Sequence, residues 1–285
     1  MFGHRSDGVE LKHVSPEFKL IPNFMTERSD AQVFFSEDIV VTSIDNYINK
    51  KAEEGIRLTY MDVVFAAVLR IIAQRPKLNR FAINGRIYAR KEITISLTIK
   101  KSLSDDADES NLKIPFTGTE TIFEVRDKIE KLIEENKASD DDNNNTDKTA
   151  KALTSVPTSL VKFAVWLIKK LDNHWHLPKS LIKVSPFHTS AYITNVGSLG
   201  INSIYHHLYN FGTTSMFFAM GKRKKSYVYE DEELKQEKCI NVAFVGDERI
   251  CDGYYYANSF RKLCKYLNKP ELLEEPGEVL KDDEI

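Results

Sequence analysis

The sequence predicts an α/β fold in which apolar strands alternate with helices that bury one or more faces. Residues 92–100 alternate strictly, with the apolar side chains of one face being Ile93, Ile95, Leu97 and Ile99. Such alternation is typical of a strand with one face in the core and the other against water or a neighbouring subunit. Residues 59–75 are apolar on nearly all faces, which indicates a largely buried helix. An apolar strand at 240–245 then leads through a charged turn into a helix ending near residue 267.

Composition limits the class of protein. A chain of 285 residues with 42% hydrophobic content can bury a substantial core, as one large domain or two small ones. Forty basic residues against 42 acidic ones leave the chain near neutrality, so its total charge gives no reason to expect nucleic acid or an anionic membrane as partner. Small molecules and proteins are the expected partners.

The cysteines and the apolar runs predict a cytoplasmic protein. The three cysteines, Cys239, Cys251 and Cys264, show neither metal-ligand spacing nor a paired framework. Cys251 is either a reactive thiol in the charged turn or a small apolar residue packed there, and the packed interpretation is favoured. The first 16 residues lack the apolar core of a signal peptide. The longest apolar run, 160–171, is too short for a bilayer span of roughly 20 residues.

The first elements follow from local signals. Residues 1–30 scatter their apolar side chains among polar ones and are expected to form an arm, and 31–41 a strand. Thr42 begins a helix that Gly55 ends. Thr59 and Asp62 suit the free amide groups at the start of the next helix. Pro76 stops that helix.

A hairpin and a second capped helix come next. Asn84-Gly85 between two apolar runs predicts a type I′ turn, which needs positive φ at both central positions. Thr121 and Glu124 form a capping-box pattern before a helix of apolar residues at helical spacing. The polar run 138–147 cannot pack and is expected to be a mobile surface loop. It lacks the glycine turn and distal glutamate of a calcium loop.

The second half contains one apolar segment that needs a partner. Residues 148–171 are expected to form one or two helices interrupted near Pro157, and 160–171 to pack in the core or on another subunit. An interfacial membrane helix using Lys162, Lys169 and Lys170 is the less favoured alternative.

The remaining strands lead to the charged turn. Strands are expected at 187–195, at 213–220 and at 222–230, with Gly221 between the last two. Residues 231–238 are expected to be a charged turn, 240–245 the strand before the motif, 258–267 the last helix, and 271–285 a solvated acidic tail.

The charged turn carries a recognisable motif. Asp247, Arg249, Asp252 and Gly253 resemble the Asp-His-Arg-x-x-Asp-Gly signature of the dihydrolipoamide acyltransferases, the acyl-transferring components of 2-oxo acid dehydrogenase complexes. More distantly they resemble chloramphenicol acetyltransferase. Glu248 stands where that family has its catalytic histidine.

Two further blocks resemble the same family, so that the likeness covers roughly residues 31–270. One is the order helix, Pro-Lys-Leu-Asn-Arg, Asn-Gly hairpin and alternating strand at 59–100. The other is the phrase at 192–197, in which Thr194 precedes Asn195 and an aliphatic-glycine pair. The resemblance implies a two-layer α/β sandwich of the chloramphenicol acetyltransferase type, a mixed sheet flanked by helices. It also implies a homotrimer with active channels between neighbouring subunits.

The resemblance also implies a reaction, the transfer of an acyl group between coenzyme A and an acceptor thiol or other nucleophile. Thr194 would then donate to the oxyanion, and Glu248 of a neighbouring subunit would face it in the place of the base. Asp252 paired with Arg249 would brace the turn, together with Asp247 and Gly253. No metal and no covalently bound lipoyl group are expected, since no lipoyl-bearing segment is recognisable in this chain.

The identity of the base leaves two hypotheses open. An ordinary glutamate titrates near 4.3 and a thiol near 8.5, so proton transfer to Glu248 is uphill by roughly 4 pH units unless burial raises the pKa of the glutamate. The pair His206-His207, or His188, is the alternative base. A zinc site from these three histidines lacks the usual spacing. The chain is therefore either a coenzyme A-dependent acyltransferase with a non-standard base or a silent homologue that binds an acyl thioester or a protein.

Overall fold

The computed structural model describes residues 5–100, 109–138, 156–175, 177–230, 232–282 and 284. The strands in these ranges are β1 (Gly8–Glu10), β2 (Gln32–Val40), β3 (Arg80–Ile83), β4 (Arg86–Arg90), β5 (Ile93–Lys100), β6 (Glu109–Phe116), β7 (Ala191–Asn195), β8 (Met216–Glu230) and β9 (Glu233–Asp247). The α-helices are α1 (Pro16–Phe24), α2 (Thr42–Glu53), α3 (Tyr60–Gln74), α4 (Ile122–Ala138), α5 (Thr158–Lys170), α6 (Lys179–Val184) and α7 (Gly253–Asn268).

A six-stranded mixed sheet organises the fold, in the order β2-β9-β8-β7-β5-β6. The β5–β7 and β7–β8 pairs are parallel, while the other three are antiparallel. A smaller antiparallel sheet, β1-β4-β3, joins the termini to the body. The predicted fold class, a mixed sheet flanked by helices, is confirmed.

The two faces of the large sheet have different surroundings, because successive side chains of a strand point to opposite sides. Ile193, Phe218 and Val242 belong to the main core with α3 and α7. Tyr192 and Phe217 form a separate cluster with Leu208 on the opposite side. We call that side the helix-free face. Among the residues that the structure describes, it is crossed by the irregular segment 201–209 rather than by a helix.

Local signals in the sequence place several elements correctly. Thr59 and Asp62 form the predicted capping box of α3. Asn84 and Gly85 adopt φ values of 50° and 71° in the β3–β4 turn. In the turn before α4 the Glu124 carboxylate accepts a hydrogen bond from the backbone N–H of Thr121 at 2.8 Å, as a capping box requires.

The β8–β9 hairpin differs from its prediction. Residues 213–230 do not form two strands: β8 runs unbroken from Met216 to Glu230, with a register shift between Met220 and Arg223 that absorbs Gly221. Likewise 231–238 is not a charged turn, because β9 begins at Glu233. Charged side chains are tolerated in both strands because this end of the hairpin projects into solvent.

Both terminal segments pack against the body. Residues 1–30, for which the sequence predicts an arm, contain β1 and α1, and Leu11 and Val14 are buried. The acidic tail is not solvated throughout: Leu273 is fully buried, and the Asp282 carboxylate lies 2.5 Å from the Nε of the buried Arg80. A buried guanidinium needs a counter-charge, and the tail supplies it.

Three other expectations have separate outcomes. The polar face of β5 is not wet, since Thr94 and Ser96 are buried beneath the segment 185–190. The apolar run 160–171 lies on α5, where every residue is at least partly exposed and Phe163 and Trp166 are more than half exposed. The predicted loop at 138–147 lies outside the described residues, apart from Ala138 at the end of α4.

Within the described ranges, no helix has the length and apolar content needed to cross a membrane.

Candidate active site

The turn after β9 is built on a buried carboxylate. Asp247 is fully buried, and its two oxygens accept from the Arg249 Nε at 2.8 Å and Nη2 at 2.7 Å. Arg28, itself 3% exposed, donates from Nε to the same carboxylate at 3.2 Å. Two guanidinium groups therefore share one buried acid, and this cluster fixes the path of the chain between β9 and α7.

The predicted pairing of Asp252 with Arg249 is wrong. Arg249 uses its guanidinium on Asp247 and on the backbone carbonyls of Met25 and Thr26. The exposed Asp252 instead caps α7, accepting from the Tyr255 backbone N–H at 2.8 Å. Acidic caps suit a helix start because they accept from free amides and oppose the positive end of the dipole.

Glu248 follows Asp247 directly in this turn. Its backbone N–H donates to the Ala31 carbonyl at 2.8 Å, which ties the turn to the start of β2. Its side chain is partly exposed and makes no hydrogen bond or ion pair with the residues that the structure describes. The next motif position, Gly253, has open space where a Cβ would stand. The turn therefore presents a carboxylate that no described residue binds.

Cys251 is a packed residue rather than a reactive thiol. It is 1% exposed, and burial raises the pKa of its thiol far above the ordinary range. Its neighbour Tyr256 is buried too and donates from its hydroxyl to the Asp247 carbonyl at 2.8 Å. The apolar interpretation of this cysteine is the one that fits the structure.

Thr194 occupies the helix-free face near the end of β7. It pairs with Ala219 on β8, which in turn pairs with Ala243 on β9. Its neighbour Asn195 accepts from the Ser198 backbone N–H at 3.2 Å and begins a short 3₁₀ turn.

The turn after β7 fits only because two glycines meet. A Cβ on Gly197 would lie 2.5 Å from the Gly221 carbonyl oxygen. The predicted aliphatic-glycine pair after Thr194 therefore packs into the bulge of β8, and this contact holds the end of β7 in place.

One copy of the chain does not bring Thr194 and Glu248 together. Thr194 is level with Ala243, and Asp247 lies four residues further along β9, two strands away from β7. With about 3.3 Å per residue and about 4.8 Å per strand, the Cα atoms of Thr194 and Asp247 are roughly 16 Å apart. The two side chains stand at opposite ends of the sheet.

His206 shares the helix-free face with Thr194. Its ring stacks on Phe217 with centroids 4.2 Å apart and on His207 at 4.6 Å, and its Nδ1 lies 2.8 Å from the His207 carbonyl oxygen. Burial lowers the pKa of His206, so the neutral imidazole is favoured. His207 is exposed. Of the two, His206 has the more ordered setting for a base.

His188 is buried in a cluster of hydrogen bonds and ion pairs. It is 2% exposed, its Nε2 lies 3.0 Å from Asp172 and its Nδ1 lies 2.8 Å from the Ser185 hydroxyl. Arg5 also donates to Asp172 at 2.8 Å. Burial opposes ionisation of Asp172, but the His188 hydrogen bond and the Arg5 charge outweigh it and lower the pKa of this carboxyl. The cluster anchors residues 172–188 to the amino-terminal segment.

Sequence reasoning missed Arg28. It is a single arginine in a segment without a periodic pattern, and no local signal pairs it with an acid more than two hundred residues away. Among the described residues, no group of three or more histidine, cysteine, aspartate or glutamate side chains has the arrangement of a metal site.

Comparison with known proteins finds a family match that includes this turn. Residues 187–274 match the sequence model of the family described as 2-oxoacid dehydrogenases acyltransferase (catalytic domain). Within that segment the chain is similar to this acyltransferase family. The family segment contains both Thr194 and the turn at 247–253. A search of curated proteins finds no match to the chain.

Solved structures of acyltransferases share the fold of the whole chain. A probable dihydrolipoamide acetyltransferase from Listeria monocytogenes 4b F2365 is 16% identical, with 90% of this chain and 93% of that chain covered and a TM-score of 0.59. The Azotobacter vinelandii dihydrolipoamide acetyltransferase is 12% identical, with 93% and 94% covered and a TM-score of 0.59. Chloramphenicol acetyltransferase is 11% identical, with 91% and 99% covered and a TM-score of 0.54. At such identities these likenesses establish the acyltransferase fold.

Proposed function

We propose that the protein is an acyltransferase that moves an acyl group between coenzyme A and an acceptor thiol or other nucleophile. The observation that carries the proposal is that one family-matched segment, 187–274, supplies both the hydroxyl of Thr194 and the turn of Asp247 and Arg249. A hydroxyl donor and a braced turn for a proton acceptor are the two parts that thioester attack needs.

A relative supports the assignment of roles. In the Azotobacter vinelandii dihydrolipoamide acetyltransferase, a serine, a histidine and an asparagine have been investigated for their role in the catalytic mechanism, and the last two are four residues apart. Glu248 and Asp252 have the same spacing. We assign to Thr194 the part of the serine, as donor to the oxyanion, and to Glu248 the position of the histidine.

The distance between these residues calls for a second copy of the chain. Thr194 and Glu248 lie at opposite ends of the sheet in one protomer, so a complete site needs Thr194 from one copy and Glu248 from another. A homotrimer supplies three such sites. One related solved structure is the cubic core of the pyruvate dehydrogenase multienzyme complex, so relatives of this fold do assemble.

This chain differs from the family that it resembles in the residue at the position of the base. Proton transfer from a thiol to an ordinary glutamate is uphill by roughly 4 pH units, or roughly 5 to 6 kcal/mol. Burial of a carboxylate disfavours its charged form, so docking of a neighbouring copy over this turn would reduce the cost. His206 is the other candidate, since it lies on the Thr194 face and its imidazole is held neutral.

Glu248 also favours a second function, that of a catalytically silent homologue that binds an acyl thioester. Its carboxylate has no partner among the described residues that would tune it as a base. In this case the channel binds coenzyme A thioesters without turnover, and the protein acts through binding.

Release of coenzyme A from acetyl-coenzyme A, with a small thiol as the acyl acceptor, separates the two functions. The assay compares the native protein with Glu248→Gln, Glu248→His, Thr194→Ala and His206→Asn, each checked for folding by circular dichroism. Loss of activity by at least about 100-fold in Thr194→Ala and in Glu248→Gln supports catalysis by that pair, because removing one oxyanion donor typically costs that much. Loss in His206→Asn alone assigns the base to the histidine.

The remaining outcomes distinguish a protein that binds the thioester without turnover from one that has no role in acyl transfer. If only Glu248→His turns over, the native chain has lost the reaction and kept the site. If no variant turns over but acetyl-coenzyme A raises the melting temperature of the native protein, binding without chemistry is the function. Neither turnover nor stabilisation, or a monomer by sedimentation at working concentration, contradicts the proposal.

A further inference from the structure

A cavity lies away from the turn at 247–253 and from Thr194. It has a volume of about 770 Å³ and opens where β5 begins and β6 ends, beside α6. Its walls come from five parts of the chain, and the lining residues are Ser6, Asp7, Arg90, Lys91, Glu92, Thr94, Lys113, Pro115, Phe116, Thr117, Lys128, Lys179, Ile182, Lys183 and His188. This volume is enough for a small organic molecule.

The cavity is positively charged although the protein is not. Six of its lining residues are lysine or arginine and two are acidic, a formal net charge of +4 with His188 neutral. The whole chain has a formal net charge of −2. Basic residues of a near-neutral chain are therefore concentrated here, and a concave site lined by one sign of charge attracts ions of the other sign.

Two of the cations have no carboxylate bound to them among the residues that the structure describes. Lys113 donates from Nζ to the backbone carbonyls of Ile182 at 2.7 Å and Ser185 at 3.3 Å. Arg90 donates from Nη1 to the Thr213 hydroxyl at 3.1 Å, and its buried Nε has no hydrogen-bond partner. Both residues are half-buried. Cations withdrawn from water normally have a counter-ion, so this arrangement favours one in the cavity.

The acids of the cavity do not supply that counter-ion. The Asp7 carboxylate accepts a hydrogen bond from the Nε of Arg5 at 2.8 Å, so Arg5 already neutralises much of its charge. Glu92 is exposed at the rim. Of these six basic residues, Lys128 alone forms an ion pair with an acid that the structure describes, Glu120 at 2.5 Å.

The protonation of Lys113 reflects this imbalance. Burial and the nearby charge of Arg90 together lower the pKa of Lys113 to about 8, while Asp7 and Glu92 act in the opposite direction. Lys128 on α4 and Lys179 and Lys183 on α6 add positive charge around the same cavity. An anion in the cavity would raise the pKa of Lys113 again.

We infer that this cavity binds a small polyanion, a compound with at least two negative charges on phosphate or carboxylate groups and a short apolar part. The charges would meet Arg90, Lys113 and Lys183, and the apolar part would lie on Phe116 and Ile182. The site is separate from the proposed acyl-transfer site, because neither Thr194 nor Glu248 lines it. Its occupation is independent of whether the protein transfers acyl groups.

Isothermal titration with inorganic pyrophosphate and with citrate, at constant ionic strength, tests the inference and distinguishes phosphate from carboxylate ligands. We expect one site per chain, with at least one of the two probes binding ten-fold or more tightly than sulfate. Lys113→Gln should weaken that binding at least five-fold, and Lys183→Gln two-fold or more. Lys183 is exposed, so the second variant remains informative if the first does not fold.

A matched control removes the same charge elsewhere. Lys131 is exposed on α4, does not line the cavity and pairs with Glu135 at 3.9 Å, so Lys131→Gln should leave the affinity unchanged. Equal weakening by all three variants, or equal binding of sulfate, would show only a general effect of charge and overturn the inference. So would the absence of binding by both probes at millimolar concentration.

Proton uptake gives a second readout that non-specific binding would not produce. At pH 8 a lysine with a pKa of about 8 is half protonated, so an anion that raises this pKa makes the protein take up close to half a proton. Titrations in two buffers of different ionisation enthalpy measure this uptake. The uptake should vanish in Lys113→Gln and persist in Lys131→Gln; identical uptake in both variants would contradict the assignment.

Discussion

Arg28 and Asp247 lie 219 positions apart in the chain, and the Nε of the arginine is 3.2 Å from the carboxylate. The pair closes the segment before β2 onto the turn after β9, which carries Glu248. Arg28 also donates to the backbone carbonyls of Tyr209, Gly212 and Ala82. A single buried guanidinium therefore connects the turn, the loop over the helix-free face and the small sheet.

Replacement of Arg28 should be strongly destabilising. Arg28→Met leaves the buried Asp247 with one guanidinium instead of two and removes the hydrogen bonds that Arg28 donates to three backbone carbonyls, so we expect a loss of about 3–5 kcal/mol in the free energy of unfolding. Urea denaturation followed by circular dichroism measures it. Arg126→Met, which removes a pair with the exposed Asp127, is the matched control and should cost less than about 1 kcal/mol. Similar losses in the two variants would refute a central role for the Arg28–Asp247 pair.

Asp252 should behave as a helix cap. Asp252→Ala removes the acceptor for the Tyr255 amide and should cost about 1 kcal/mol, whereas Asp252→Ser keeps an acceptor and should cost less than half of that. The same urea titration distinguishes these values. If Asp252→Ala cost as much as Arg249→Met, the carboxylate would have a bracing role beyond the cap.

The sequence identifies much of this fold because its strongest signals are local. Asn84-Gly85 and the Thr59–Asp62 box depend on residues within four positions of one another, and both are present in the structure. The partners of Arg28 and Arg249 depend on tertiary contacts. No local pattern states that Arg249 binds Asp247 rather than Asp252, since both acids are within three residues of it.

The same reasoning explains the errors at the termini and in the hairpin. Acidic residues such as Asp282 indicate solvent exposure when they stand alone, but here the carboxylate neutralises a buried Arg80 that is two hundred residues earlier in the chain. The sequence does not predict the proposed polyanion cavity either, because its basic residues are distributed from Arg90 to Lys183 and become a group only in the folded protein.

Acid should loosen the anchor of His188 and Asp172. The folded-state pKa of Asp172 lies below its ordinary value, so its ionised form stabilises the protein above about pH 4 and this contribution is lost as the pH falls through the lowered value. Urea midpoints between pH 7 and pH 3 should fall in the acid range for the native protein. Asp172→Asn should be less stable at pH 7 and should depend less on pH below about 4. A pH dependence identical to that of the native protein would show that other carboxyls govern acid stability.

Gly253 should be dispensable for folding and needed for the proposed reaction. Its φ is not positive, and no atom lies within 4 Å of a built Cβ, so Gly253→Ala should leave the stability unchanged or raise it by about 0.4–1 kcal/mol. Gly55 also faces open space but has φ of +80°, so Gly55→Ala should lose roughly 1 kcal/mol and serves as the matched control. The methyl group of Gly253→Ala would project from the turn that carries Glu248, where the proposed channel brings substrate and the neighbouring copy. Acetyl-coenzyme A turnover or binding should therefore fall at least ten-fold with no loss of stability. Unchanged turnover and binding in a stable Gly253→Ala protein would show that this space is not part of the site.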